Sequence, residues 1–413
     1  MSSDSIAPKV SFVPSRRQQD SMKYWWVLLM VLVCMVPLLF LGYGSDNDTY
    51  GVLQSGYSTW HLHVLSTSRD PGYWTYEAVA YFLSSLGGYV LSNLMSFAVT
   101  GVILWRFYRF AQKLNVAYPM LWMSCLIVAP VYMIASTTTI DYVWSLLCIV
   151  LAAEFLLAER LVAATILAAL AISFRAANIV VVGGGIAALI GYEFYTRRKL
   201  TSSSVKLAIC GLASAALGCV TYIASYRLAG DSWKFMAPMI GPATMWTLKM
   251  QVGRFVYKGF YAFGPIAMVI LAAVIVQYAR RRRRGKTVEL DASFTRTITL
   301  LWGFVIANIL LFFKFPIEIS YLIPAIFFFL LIAGSTFFQR SFSWTIALLV
   351  SILSLNFLLP SFAQPNIPGR STAAHLRFAW EPGMLIEDVR SRRQYLGCKD
   401  AACYIQHQNL SLR

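Results

Sequence analysis

Long apolar runs alternate with short polar connections along most of this chain. Runs long enough to cross a bilayer, allowing for short or tilted helices, lie near 24–41, 88–105, 118–136, 142–158, 161–174, 176–195, 206–226, 257–278, 298–313, 321–338 and 342–359. Hydrophobic residues make up 58% of the 413 residues and charged residues only 13%, whereas soluble domains carry about 25% charged residues. The pattern predicts an all-α polytopic membrane protein with about eleven transmembrane helices.

Basic residues collect in every second connection between these runs. The chain has 35 basic and 18 acidic residues, a formal charge of +17. In a soluble protein such an excess would suggest nucleic-acid binding, but here it follows the positive-inside pattern, with the amino terminus in the cytoplasm and no nucleic acid as partner. The basic positions are Arg16, Arg17, Lys23, Arg106, Arg109, Lys113, Arg160, Arg197, Arg198, Lys199, Arg280 to Arg284, Lys286 and Arg340.

This topology divides the chain into three parts. Residues 1–23 form a cytoplasmic amino-terminal segment, residues 24–359 the transmembrane unit, and residues 360–413 a small extracytoplasmic tail. The first run lacks a cleavage site before the following loop, so we expect it to be retained as a helix. The outer loop 42–87 interleaves aromatic with charged residues, which predicts amphipathic helices lying in the headgroup layer.

Two further features bear on the class of protein. Cys398 and Cys403 lie in the predicted outer tail, where they either form a disulfide or stay as free thiols. The three glycines 183–185 lie inside an apolar run, so we expect them to serve close helix packing rather than phosphate binding.

An acidic pair directly follows the first apolar run. Asp46 and Asp48 are separated by one residue, so in an extended segment both side chains point to the same side. One carboxylate can take a proton from an incoming hydroxyl while the other orients the acceptor or holds a divalent cation. The alternative is a solvated turn, because Gly, Ser, Asp and Asn all favour turns.

Three more charged residues mark the predicted outer loops. Arg69 can offer a planar fork to a phosphate, or pair with a neighbouring carboxylate of its own loop, Asp70 or Glu77. Asp141 opens the fourth run, where a carboxylate can simply complement the helix dipole. Arg175 ends the fifth run in apolar surroundings and needs an anionic partner, either Asp141 or a substrate.

The connection between the ninth and tenth runs adds a last candidate group. Lys314, Glu318 and Tyr321 lie there, with Pro316 and Pro324 shaping the entry to the tenth run. Lys314 either binds a lipid phosphate as a point charge or extends its ammonium group to the headgroups as many membrane lysines do. The four histidines show no zinc-ligand spacing with the cysteines.

The order of these short motifs resembles the multi-spanning glycosyltransferases of the C superfamily, which include protein O-mannosyltransferases and the aminoarabinose transferases of lipid A. The resemblance covers about 24–340. It comprises an acidic motif in the first outer loop, an Arg-x-Pro-Gly-Tyr-like stretch from Arg69 to Tyr73, and an Asp at the second outer loop. An Arg-ended fifth helix and a late Pro-x-Glu-x-x-Tyr-Leu-x-Pro stretch starting at Pro316 complete it.

The resemblance implies an inverting transfer of a sugar from a polyprenyl phosphate donor to a glycan, lipid or protein acceptor. The reaction would take place at the outer face of a bacterial inner membrane, with no required cofactor and a divalent cation on Asp46 and Asp48 as an option. By analogy Asp46 is the base and Asp48 its partner. The donor phosphate would be held by Arg69, Arg175 and Lys314, and the substrates by Asp141, Glu318 and Tyr321. Many family members carry a large outer domain, for which this chain offers only the tail after 360.

Two other functions compete with this one. A polysaccharide polymerase or ligase acting on an undecaprenyl-linked glycan would depend on Arg69 and Arg175 and could dispense with Asp46. A lipid or glycan transporter should carry its ionisable residues near the bilayer midplane and often shows repeated halves. Here these residues collect at the predicted outer mouths and the halves show no strong repeat, so the transporter ranks third.

Overall fold

The computed structural model describes residues 24–45, 47–64, 68, 73–228, 248–283, 291–316, 318–338, 341–363 and 377–393. The predicted base Asp46, the predicted phosphate ligand Arg69, and the tail cysteines Cys398 and Cys403 lie outside these residues.

Within this part of the chain the fold consists of fifteen helices and one two-stranded sheet. The helices are α1 Trp25–Met35, α2 Asn47–His61, α3 Trp74–Lys113, α4 Pro119–Ile127, α5 Pro130–Ser136, α6 Tyr142–Leu157, α7 Leu161–Phe174, α8 Asn178–Arg197, α9 Ser202–Leu228, α10 Leu248–Phe263, α11 Pro265–Arg283, α12 Ala292–Lys314, α13 Ile323–Ile332, α14 Phe342–Ser354 and α15 Met384–Arg393. A 3-10 turn, Ile319–Leu322, precedes α13. The strands β1 Leu358–Ala363 and β2 Arg377–Pro382 pair antiparallel, with Leu358 opposite Pro382.

Several of these helices are long and apolar enough to cross a membrane. Five described segments qualify singly, namely Trp74–Lys113, Asn178–Arg197, Ser202–Ala224, Ala292–Lys314 and Ile319–Phe337. The number rises to seven if each of two bent helix pairs forms one span, and four further apolar helices have 10–17 residues. The predicted mostly helical, membrane-embedded class is therefore confirmed, and among the described residues five to seven spans are long and apolar enough to cross a membrane.

Two of the predicted runs bend sharply instead of forming one straight helix. The run near 118–136 is broken between α4 and α5 at 77°, because Ala129 is extended and Pro130 starts the next helix. The run near 257–278 is broken between α10 and α11 at 88°. There Gly264 has φ +79°, a left-handed conformation that favours glycine, and Pro265 begins α11.

A third break lies inside the 40-residue helix α3. Gly88 has φ 62° and ψ −157°, a backbone conformation open almost only to glycine. The break separates the beginning of α3, which belongs to the predicted amphipathic loop, from the predicted run 88–105. The loop 42–87 therefore contains the predicted helices, as α2 and the first part of α3.

The ends of the helices sort into two groups. At one end the ring of Tyr24, at the start of α1, stacks on Phe342 and meets Tyr118 edge to face. The same end holds the Arg106–Glu154 and Arg296–Glu159 ion pairs, so we call it the basic end. The helices α1, α3, α6, α7 and α12 each run from one end of the bundle to the other. Their other ends therefore lie at the opposite end, which we call the polar end.

Helix α8 packs closely against α12. A Cβ at Gly184 would lie 2.2 Å from Cβ of Ala307, and one at Gly185 would lie 2.4 Å from the Phe304 ring. The predicted packing role of this glycine segment is thus confirmed for Gly184 and Gly185. The contact fixes α8, which begins three residues after Arg175, relative to α12, which ends at Lys314.

The last described helix, α15, closes the polar end. Arg392 is fully buried, pairs with Asp388 at 2.6 Å, and donates to the carbonyl oxygens of Leu38 and Thr137 at 3.2 and 2.9 Å. Ser45 donates to Asp388 at 2.6 Å. The tail after 360 is therefore joined to the bundle through α15 in its described part.

Candidate functional site

The polar end brings together the described candidates from four separate connections. Asp48 lies at the start of α2, Asp141 directly before α6, Arg175 directly after α7, and Glu318 and Tyr321 between α12 and α13. Lys314 ends α12 at the same end but is exposed. These residues are far apart in sequence, and the alternation of the helices is what assembles them.

Arg175 forms a buried ion pair with Asp141. Its Nη1 donates to both carboxylate oxygens, Oδ1 at 2.9 Å and Oδ2 at 2.8 Å, and the side chains are 4% and 0% exposed. Burial lowers the pKa of a guanidinium, but the Asp141 carboxylate and neighbouring tyrosines outweigh it, so the pKa of Arg175 lies well above its ordinary value. Of the two partners that the sequence offered for Arg175, the structure shows Asp141.

Three tyrosine rings surround the same guanidinium. The carbon Cζ of Arg175 lies 3.9 Å from the ring centroid of Tyr142, 4.9 Å from Tyr321 and 5.5 Å from Tyr73. Arginine over aromatic faces gains a cation–π attraction, which strengthens in a desolvated setting. The rings therefore stabilise the charge of Arg175 in addition to Asp141.

Tyr142 links this pair to the late Pro-x-Glu stretch. Its hydroxyl donates to the Glu318 carboxylate, and its ring lies 6.4 Å from that of Tyr321. Asp141, Arg175, Tyr142 and Glu318 thus form one connected group of charged and aromatic side chains.

Two small cavities flank Tyr142. The larger, about 50 Å³, is lined by the hydroxyl-bearing residues Ser45, Thr49, Thr138, Tyr142 and Ser320 together with apolar residues. The smaller, about 10 Å³, is lined by Tyr142, Ser145, Arg175, Asn178, Asn308 and Tyr321 among others. A space of the second size admits about one water molecule, so the cavities can take polar groups of a substrate only if the surrounding side chains move.

Two buried polar atoms at the smaller cavity lack a protein partner. Among the described residues, Nη2 of Arg175 and Oδ1 of Asn308 have no hydrogen-bond partner. One is a charged donor and the other an acceptor, so each can bind a hydroxyl group or a water molecule. Asn308 was not predicted from the sequence, where it is one polar residue inside an apolar run.

Asp48 lies in a helix and not in an extended segment. An extended segment was expected to place Asp46 and Asp48 on the same side, but α2 begins at Asn47 and Asp48 lies in its first turn. A carboxylate in this position is stabilised by the unpaired N–H groups and the dipole of the helix. Asp48 is half-buried beside Ser45 and Thr49, which line the larger cavity.

Glu77, which the sequence suggested only as a surface partner of Arg69, is a buried carboxylate. It is fully buried and accepts hydrogen bonds from Oγ of Ser55 at 2.5 Å and from the backbone N–H groups of Ser68 and Tyr73 at 3.1 Å. Oγ of Ser68 donates to it as well. Glu77 is therefore buried, whereas a surface pair with Arg69 would need it to be exposed. Its hydrogen bonds join Ser55 of α2, and the residues Ser68 and Tyr73, to α3.

The described residues contain no group of three or more His, Cys, Asp and Glu side chains placed to hold a metal ion. The predicted cation ligands were Asp46 and Asp48, of which only Asp48 is described, so the cation option stays a prediction.

The sequence matches no protein-family model, and comparison with curated proteins and with solved structures gives no match either.

Proposed function

We propose that this chain is an inverting glycosyltransferase that moves a sugar from a polyprenyl phosphate donor to a glycan, lipid or protein acceptor at the polar end of the bundle. The observation that carries the proposal is the meeting of Asp141, Arg175, Glu318 and Tyr321 around Tyr142. Residues from four connections meet at one end, as an active site at a membrane surface requires.

The finer topology belongs to the same proposal. All eleven apolar runs would cross the membrane, the bent and short ones included, with the basic end in the cytoplasm and the polar end outside a bacterial inner membrane. The alternation of basic connections supports this orientation. Outer-face chemistry in turn favours a lipid-carried donor, because nucleotide sugars are cytoplasmic substrates.

The proposed reaction is a single displacement at the anomeric carbon. Asp46 takes the proton of the acceptor hydroxyl, and Asp48 orients the acceptor or a divalent cation. The acceptor oxygen forms a bond to the anomeric carbon while the bond to the donor phosphate oxygen breaks, and the electron pair leaves with the phosphate. Inversion follows because the attack comes from the face opposite the leaving group.

Cations are needed where negative charge develops on the phosphate. The candidates are Arg69, Arg175 and Lys314, with Asp141, Glu318 and Tyr321 contacting the substrates. Arg175 already compensates Asp141 through Nη1, so it would contribute its other nitrogen, Nη2. Such a group is held rigidly in place, which favours orientation of the leaving group over capture of the lipid.

The distribution of buried charge weighs against the transporter alternative. In the described part of the chain the buried charged residues are Glu77, Asp141, Arg175, Glu193, Asp388 and Arg392. Glu193 lies near the end of α8 at the basic end, and the other five lie at the polar end. A transporter is expected to place such groups near the bilayer midplane. The polymerase or ligase alternative shares Arg69 and Arg175 with the main proposal and differs in not needing Asp46.

Identification of the lipids that co-purify with the protein tests the proposal. The full-length protein is purified from membranes in mild detergent, beside an unrelated polytopic protein treated identically, and bound lipids are analysed by mass spectrometry. Enrichment of a polyprenyl phosphate sugar on this protein alone is the expected result. Equal recovery on both proteins would contradict a dedicated donor site.

A further inference from the structure

The amphipathic helix α10 exposes its apolar face and turns two of its cations toward the protein. Its exposed positions are mainly apolar, namely Leu248, Val252, Val256, Tyr257 and Phe260. Two of its three cations, Arg254 and Lys258, are partly buried on the side that faces the protein, and the third, Lys249, is exposed. A surface helix of a water-soluble protein shows the opposite distribution, so α10 is suited to an apolar solvent outside and a polar space beneath it.

The packing of α10 places this polar space at the candidate site. The 88° bend at Gly264 turns α10 across the end of the bundle, away from the direction of the apolar helix α11. α10 contacts α12 and the 3-10 turn Ile319–Leu322. The ring of Phe255 anchors it, 5.7 Å from Phe312 and 5.4 Å from Phe313.

The two cations lie one helical turn apart and border the group around Tyr142. Arg254 and Lys258 are four residues apart on one face of α10. Lys258 interacts electrostatically with Arg254 and with Glu318, the carboxylate that accepts from Tyr142. Arg254 also has a further interaction within the chain.

We propose that Lys258, assisted by Arg254, binds the phosphate of a membrane lipid whose chain lies along the apolar face of α10. The apolar exposed face matches lipid chains, and a partly buried ammonium beneath it at the end of the bundle matches a phosphate at headgroup depth. The inference deepens the proposed function, on which it rests for the identity of the lipid as a polyprenyl phosphate, and it adds residues that the sequence did not assign. Arg175, fixed by Asp141, then orients the phosphate after Lys258 has captured it.

Lipid binding to reconstituted full-length protein tests this inference without any transfer reaction. The protein is placed in phosphatidylcholine nanodiscs and titrated with undecaprenyl phosphate, with phosphatidylglycerol and with inorganic phosphate in separate series, and bound lipid is counted by native mass spectrometry. The variants are Lys258→Gln, Lys258→Arg, and the matched control Lys249→Gln on the exposed side of the same helix.

Lys258→Gln should weaken undecaprenyl phosphate binding by about tenfold or more, since a charge-assisted hydrogen bond contributes about 1.5–3 kcal/mol. Lys258→Arg should retain most of the affinity and Lys249→Gln should change it less than about twofold. Equal affinities of wild type and Lys258→Gln, at unchanged melting temperature, would overturn the inference. If Lys258→Gln fails to fold, Lys258→Arg, which retains the charge, is compared with Lys249→Gln instead. A large loss of affinity of equal size in these two variants would overturn the inference as well.

The three ligand series separate the sources of the phosphate. Preference for undecaprenyl phosphate over phosphatidylglycerol supports the assigned lipid, whereas equal binding of both would overturn that assignment in favour of a general anionic-lipid site. Binding of inorganic phosphate with the same affinity would overturn the role of the apolar face. Lipid binding that depends on Lys258 without any sugar transfer would leave this inference standing and contradict the proposed function alone.

Discussion

Nη1 of Arg175 donates to both carboxylate oxygens of Asp141, at 2.9 and 2.8 Å, and so joins the end of α7 to the start of α6. Neither residue can be removed without leaving the other charge buried. The pair is therefore a structural element of the polar end as well as a candidate for contact with substrate through Nη2.

Loss of one partner of this pair should strongly destabilise the protein. Asp141→Asn leaves the guanidinium of Arg175 buried and uncompensated, which typically costs about 3–5 kcal/mol. The double variant Asp141→Asn with Arg175→Met should recover part of this loss, because it removes the orphaned charge. Thermal unfolding of the purified protein in detergent measures both.

The Arg106–Glu154 pair offers the matched control. Its side chains are 24% and 25% exposed, so Glu154→Gln should cost only about 0–1 kcal/mol. Similar melting temperatures for Asp141→Asn and Glu154→Gln would show that the buried pair does not hold the polar end together.

The glycine contact between α8 and α12 gives a second prediction. Gly184→Ala places a Cβ 2.2 Å from that of Ala307, and overpacking of this kind costs about 1–3 kcal/mol. Gly183→Ala is the control, since its Cβ would meet nothing within 4 Å and alanine favours the helix by up to about 1 kcal/mol. The melting temperature should fall for Gly184→Ala only, and a fall of equal size in both variants would disprove the close contact.

The attachment of α15 can be tested by limited proteolysis. Arg392→Ala removes the donors to the carbonyl oxygens of Leu38 and Thr137, so α15 should leave the bundle and become accessible to protease. The neighbouring Arg393 is exposed, and Arg393→Ala should be cleaved at the wild-type rate. Resistance of Arg392→Ala equal to that of wild type would contradict the proposed attachment.

The orientation of the bundle is testable with reporter fusions. A fusion after residue 284, which ends the Arg280 to Arg284 run, should report a cytoplasmic position, and a fusion after residue 365 should report an outer one. A cytoplasmic signal after 365 would mean that the number of crossings is even, and the predicted outer tail and its cysteine pair would be wrong.

The sequence was sufficient to predict the helical membrane class and to name Asp141 as one of two candidate partners of Arg175. Hydrophobic run length marks apolar helices directly, and a single arginine between apolar runs needs a nearby carboxylate, for which Asp141 was available. The packing glycines were also predicted, because three small residues in an apolar run permit close helix approach.

Other features depend on contacts that a local pattern does not contain. The Gly264-Pro265 pair is a local signal for the sharp bend between α10 and α11. A prediction from the length of apolar runs contains no information on such a change of helix direction. Glu77 and Arg392 occur in polar segments and resemble surface residues until their partners are known. The inward direction of Lys258 follows from the position of α10 against α12, which no periodicity specifies.

The central claim is tested most directly by sugar transfer in variants of the acidic pair. Wild type, Asp46→Asn and Asp48→Asn are reconstituted with a labelled polyprenyl phosphate sugar and a cell-envelope extract as the source of acceptor, and release of polyprenyl phosphate is followed. Donor binding is measured in parallel, and Asp291→Asn, an exposed carboxamide substitution before α12 at the basic end, is the control.

Asp46→Asn should lower the transfer rate by about 10²–10⁴, the usual cost of losing a general base, while donor binding and folding stay as in wild type. Asp48→Asn should lower the rate less, and Asp291→Asn should leave it unchanged. Transfer at near wild-type rates in both Asp46→Asn and Asp48→Asn would contradict the account. The pair would then be a polar turn, and the polymerase or ligase alternative through Arg69 and Arg175 would be the better explanation.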